Sequence, residues 1–204
     1  MSLISNPYGI IAASDQSGIP RRLRVPSGIA SGYGLNIFLN NAVRINPATG
    51  LLEAVTNPNG VPQAIWGIFA GCEFTPLGGR PTESPFWAAG TIVDPNYDFF
   101  AYVYPAWMPG TRWYMQADGS VAQAKLGSQF NITNVGAGNT TTGLGASTVG
   151  AGGIAANAQG QFALVEFAQG NQQTIQSAPG DAFTDLICTI ALPQIGLGSQ
   201  TSIG

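Results

Sequence analysis

Histidine is absent from this chain of 204 residues, lysine occurs once (Lys125), and six arginines stand against ten acids. Histidine is the side chain that titrates nearest neutral pH and most often serves as general acid or base, so the chain is expected to carry no catalytic residue and not to be an enzyme. Charged residues are 8% of the chain, against about 25% in ordinary soluble domains, so its surface must be neutral and polar. Long apolar runs are also missing: the longest are a few residues, whereas a bilayer span needs about 20. The start, Met1-Ser2-Leu3-Ile4-Ser5, has neither the basic region nor the apolar core of a signal peptide, and synthesis in the cytoplasm is expected. A net charge of −3 gives no overall attraction to nucleic acid and little repulsion between identical copies. Neither nucleic acid nor membrane is expected as a partner, whereas close packing with copies or with another protein is.

Two cysteines, Cys72 and Cys188, lie far apart in apolar surroundings. Without Cys-x-x-Cys spacing or histidine the reading is two buried reduced thiols, with a disulfide or a metal site as the alternative. No cofactor is expected. The Gly-rich stretch 136–153 lacks the Gly-Lys-Ser/Thr of a phosphate loop, and Asp94-Pro95-Asn96-Tyr97-Asp98 lacks the carboxylates and glycine of a calcium loop and reads as an Asx turn. Asn131-Ile132-Thr133 and Asn139-Thr140-Thr141 match a glycosylation pattern that carries no chemistry without a secretory signal. The spacing of the acids promotes no pair for glycoside hydrolysis.

What is present points to β structure. Residues 1–26 combine prolines and glycines with no sustained period and read as an extended arm. Arg21, Arg22 and Arg24 read either as a solvated loop cluster or as part of an arm on an acidic partner surface, where guanidinium groups pair bidentately with carboxylates. From residue 28, short apolar runs alternate with turn clusters. Ala42–Ile45 and Leu51–Val55 flank Asn46-Pro47-Ala48-Thr49-Gly50, and Asn57-Pro58-Asn59-Gly60 precedes the run 64–74, which reads as a strand buried on both faces with glycines for close approach or a bulge. Between Phe86 and Tyr114 lie 10 of the 20 aromatic residues. Asp118-Gly119 suggests a hairpin joining 112–117 to 121–124. Residues 126–165 are uncharged and read as ordered or partly ordered loops that pack against a neighbour. The strand candidates 162–167 and 182–192 follow, and no segment keeps a helical period. The expected fold is all-β, barrel- or sandwich-like, with the arm at 1–26, a β-rich domain at 27–204, and a division into two sub-barrels near 120–130 as a variant.

Several stretches in order resemble a family of tailed-bacteriophage virion proteins: Asn6-Pro7-Tyr8-Gly9, residues 29–38, residues 66–74, Gly79-Arg80-Pro81 with Phe86-Trp87-Ala88-Ala89-Gly90-Thr91, residues 136–140 and residues 180–185. The resemblance implies a head decoration, or capsid cement, protein: a β-rich homotrimer on the outer surface of the virion that binds the major capsid protein and links capsomers. It brings no catalytic or cofactor residues. Candidate partner-binding residues are Arg21, Arg22 and Arg24 together with Tyr102, Tyr104, Trp107, Met108 and Trp113, with Trp107-Met108-Pro109-Gly110 as an exposed turn. The competing readings are another virion component, such as a tail or fibre-base protein, and a β-sandwich carbohydrate-binding or hydrolase module.

Overall fold

The computed structural model describes residues 5, 7–13, 22–107, 111–154, 159–168 and 177–194. Among them the fold is all-β, with no α-helix and two short 3-10 helices, Pro58–Gly60 and Gln123–Lys125. The strands are β1 (Ile11–Ala13), β2 (Leu23–Pro26), β3 (Ala42–Ile45), β4 (Leu52–Ala54), β5 (Gly67–Phe74), β6 (Thr82–Ser84), β7 (Phe100–Pro105), β8 (Arg112–Gln116), β9 (Gln129–Phe130), β10 (Ile132–Thr133), β11 (Thr148–Val149), β12 (Phe162–Phe167) and β13 (Asp185–Ile190). They form a first sheet in the order β1-β8-β13-β12-β9, a second in the order β2-β7-β5-β3-β4 with β6 beside β5, and the pair β10-β11. Every pairing between these strands is antiparallel. Both sheets are open, ending on different strands, so the architecture is layered and no barrel closes.

The local chemistry explains the elements that the sequence foreshadows. The β3–β4 hairpin closes where the Asn46 side-chain oxygen accepts from the Ala48 amide at 2.9 Å and Gly50 takes φ of 71°, a left-handed conformation that glycine adopts without steric cost. β5 is buried on both faces from Gly67 to Cys72. Its register against β7 shifts between Phe69 and Cys72, where Gly71 has φ of 103°, as in a β-bulge. Asp94 forms the expected Asx turn, its carboxylate accepting from the Asn96 amide at 3.0 Å.

Two cores lie on opposite faces of the second sheet. One packs the first sheet, through Trp113, Met115, Phe162, Leu164, Leu186 and Cys188, against Ala42 and Ile68. The other gathers Val43, Ile45, Phe69, Phe74, Ala101 and Val103 beneath Ile29, Ile37, Trp87 and Phe99. Cys72 and Cys188 are both fully buried, unpaired and in different cores, and burial pushes both thiols up to about 12.

Four expectations differ from this arrangement. The described parts of 1–26 are not a free arm: β1 pairs with β8 and β2 with β7, so they are edge strands of different sheets. Their short apolar residues find partners only across more than 70 residues of sequence, which no local period announces. The strands divide between the sheets at the β7–β8 connection, with β1 joining the later set, rather than near 120–130. Asp118-Gly119 does not close a hairpin: Val121 is fully buried, and the Asp118 carboxylate accepts from the Ala151 amide at 2.8 Å and the Thr133 hydroxyl at 3.0 Å. The Gly-rich stretch packs on its own chain, since a Cβ at Gly145 would stand 2.2 Å from the Asn41 side-chain oxygen.

Tyr8 is fastened to β13. Its hydroxyl donates to Asp185 at 3.1 Å, the Gln116 amide donates to the same oxygen at 3.3 Å, and the Asp185 amide donates to the Ser177 hydroxyl. Asp185 is 3% exposed, and burial raises its carboxyl above the usual range against hydrogen bonds from Tyr8, Gln116 and Ser177 that favour the charged form. The folded state therefore keeps this proton to a higher pH than the unfolded state. The group's contribution to stability falls as pH rises from its ordinary value of 3.8 through the raised one, because the native state binds more protons across that window. Urea unfolding of wild type and Asp185→Asn across this range should show stability falling more with pH in the wild type; parallel curves would contradict the assignment.

Candidate functional site

Strand alternation sorts the second sheet into two faces. Val25, Ala101, Val103, Cys72 and Phe74 point into the core beneath the loops, so Arg24, Phe100, Tyr102 and Glu73 point the other way. At one end this second face is covered by the first sheet, where Tyr104 packs half-buried against that core. Toward the start of β7 it opens to solvent, with Arg22, Arg24, Glu73 and Glu83 exposed and Phe100 and Tyr102 half-buried.

Register brings these side chains together. Arg24 pairs with Tyr102, Pro26 and Glu73 both pair with Phe100, and Glu73 pairs with Glu83. The Arg24 guanidinium carbon sits 3.3 Å from the Phe100 ring centroid and that of Arg22 4.1 Å from the Tyr102 centroid. Each stack contributes about 0.5–1 kcal/mol at an exposed site. It also fixes the guanidinium plane while leaving its edge donors free to meet a carboxylate. On the other side of β7 the Tyr102 hydroxyl donates to Glu73 at 2.6 Å, and that hydrogen bond raises the tyrosine above its ordinary range. Arg44 and Glu53 continue the face as an ion pair at 2.6 Å.

At the end of β7, Trp107 is 38% exposed and meets Trp66 edge-on, with ring centroids 4.9 Å apart. Trp66 is held there by backbone bonds to Val43 and from Ala106.

Of the candidate residues, Arg22, Arg24 and Tyr102 form one cluster, Tyr104 continues the same face into the core, and Trp107 stands apart, beyond the end of β7 against Trp66, which packs on the core of the opposite face. Trp113 is 1% exposed and belongs to the core under the first sheet; its position on the inner face of β8 removes it from any partner surface. Arg21, Met108, Pro109 and Gly110 lie outside the described residues. Phe100, Glu73, Glu83 and Trp66 were not singled out from sequence. The alternation Phe100-Tyr102-Tyr104 is a signal for the first, whereas the glutamates join the site only through cross-strand register. Among the described residues no group of three histidine, cysteine or acidic side chains is placed to hold a metal ion, and no helix is long and apolar enough to cross a membrane.

The chain matches no family model, no curated protein and no solved structure.

Proposed function

We propose that this chain is a virion structural protein of the head decoration type, binding the outer surface of an assembled capsid and linking neighbouring capsomers. The observation that carries the reading is Trp107, a large aromatic left 38% exposed on a turn and braced by Trp66. Pre-positioned aromatic side chains are the usual anchors of protein interfaces, and a protein with few charges has few of the groups that are most costly to desolvate around one. Many weak anchored contacts on one shell reinforce each other by avidity, which suits a protein whose role is adhesion. Three copies meeting around a capsomer junction would give the homotrimer that the resemblance implies.

The test is binding of purified protein to expanded empty heads of the phage that carries the gene. Trp107→Ala is expected to lower stability by only about 1 kcal/mol while weakening occupancy on the order of thirtyfold. Copy number discriminates the roles: decoration requires on the order of hundreds of copies per particle, a tail or fibre-base part far fewer. Occupancy unchanged by Trp107→Ala, or a low copy number confined to tails, would overturn the reading.

A further inference from the structure

We propose that the open face of β2, β7, β5 and β6 is a contact between two copies of this chain, packed face to face about a two-fold axis along β7, with Arg22 and Arg24 of each copy meeting Glu73 and Glu83 of the other. The inference rests on the charge pattern of this face and holds whichever particle the protein belongs to.

Charge on the face is separated by strand. Both arginines lie on the β2 side of β7 and both glutamates on the other side, with the aromatic rings of Phe100 and Tyr102 between them. The Arg24 guanidinium lies over Phe100, the residue that Glu73 pairs with, and that of Arg22 lies over Tyr102, whose hydroxyl reaches Glu73, so both cations stand across β7 from the glutamates. Glu73 and Glu83 stand directly opposite each other, an arrangement that repels in an isolated sheet. Among the described residues, no ion pair within the chain neutralises Glu83, Arg22 or Arg24.

Symmetry decides what complements this pattern. A half-turn about an axis along β7, lying in the plane of contact, leaves each residue at its level but carries β2 of one copy over β5 of the other. Arginine then faces glutamate twice, as an isologous interface requires, and the Phe100 and Tyr102 rings meet at the centre inside a charged rim. The perpendicular two-fold would set arginine on arginine and is disfavoured. A uniformly acidic partner is a poorer fit, because it would meet Glu73 and Glu83 on the far side of β7, with β2 and β5 about 10 Å apart.

The test uses sedimentation of the full chain at low and high salt. Wild type is expected to associate in even multiples, less at high salt, because exposed charge pairs are screened. Arg22→Glu with Arg24→Glu, and separately Glu73→Arg with Glu83→Arg, should each weaken the association at least ~tenfold, and an equimolar mixture of the two variants should restore it as a mixed pair. If copies also associate elsewhere, each reversal halves the assembly instead of giving single chains. Tyr102→Cys, near the axis, should be joined to its mate by a short bismaleimide, while Cys72 and Cys188, both fully buried, stay silent. The proposal is overturned if folded variants, checked by circular dichroism, associate like wild type, if mixing fails to restore the pair, or if Tyr102→Cys does not cross-link. It is overturned equally if the wild type stays monomeric at low salt while binding polyglutamate through the arginines, an outcome that gives the face to an acidic partner.

Discussion

Gly67→Ala is expected to be among the most destabilising single-methyl changes in this protein, by about 3 kcal/mol or more, beyond the usual range for overpacking because backbone must move. A Cβ there would stand 2.3 Å from a Val103 methyl and 2.5 Å from the Tyr104 carbonyl oxygen. The methyl has a side chain to displace, but the carbonyl belongs to β7, which is pinned between β2 and β5. Relief therefore means prising apart the strand pair that carries both the face with Arg24 and the turn with Trp107. For a chain of this size the loss corresponds to a melting temperature lower by ~6–12 °C. Gly34→Ala is the control: its Cβ would meet nothing within 4 Å and its φ is not positive, so its melting temperature should scarcely move. Equal effects at the two positions in calorimetry would refute the close approach as the cause.

Gln161→Leu is expected to cost about 3 kcal/mol despite keeping most of the volume. Gln161 is fully buried. Its amide nitrogen donates to the Asn57 side chain at 2.9 Å and the Gln63 carbonyl at 2.8 Å, while its oxygen accepts from Asn57 and from the Ile132 amide, each at 3.0 Å. Two donors and two acceptors exhaust what a glutamine amide offers. The leucine leaves the Ile132 amide and Gln63 carbonyl without this partner, and each buried group left unsatisfied costs about 1–3 kcal/mol. Asn57 has φ of 44°, so Asn57→Gly removes its amide while tolerating the backbone. The double variant should be less destabilised than the sum of the singles by about 1 kcal/mol, as for groups in one network. Additive losses in urea titrations would show that the two amides act independently.

Both expectations turn on how remote segments meet, and the same contrast governs what could be read from the chain. The turns at Asn46–Gly50 and Asp94–Asn96, the doubly buried strand β5 with its glycines, and the strands near 162–167 and 185–190 were legible because each is set by local chemistry: a side-chain oxygen capping its own turn, a glycine at positive φ, an apolar run without polar relief. So were the two buried thiols, read ahead of a disulfide or a metal site because neither Cys-x-x-Cys spacing nor histidine accompanies them. The cluster of Arg22 and Arg24 with Tyr102 was legible only as two separate suspicions, one about arginines and one about aromatics.

By itself the sequence determined an all-β chain with a nearly neutral surface, because composition and period-two patterning act through each residue's own backbone and solvation preferences. The tertiary structure alone decided that Ile11–Ala13 and Leu23–Pro26 are edge strands, that Trp113 is core while Trp107 is not, and that Glu73 and Glu83 share a face with the arginines. Strand pairing makes those decisions. It is fixed by the total burial and hydrogen bonding of distant segments, and a shift of one residue in register would send every side chain on the strand to the opposite face.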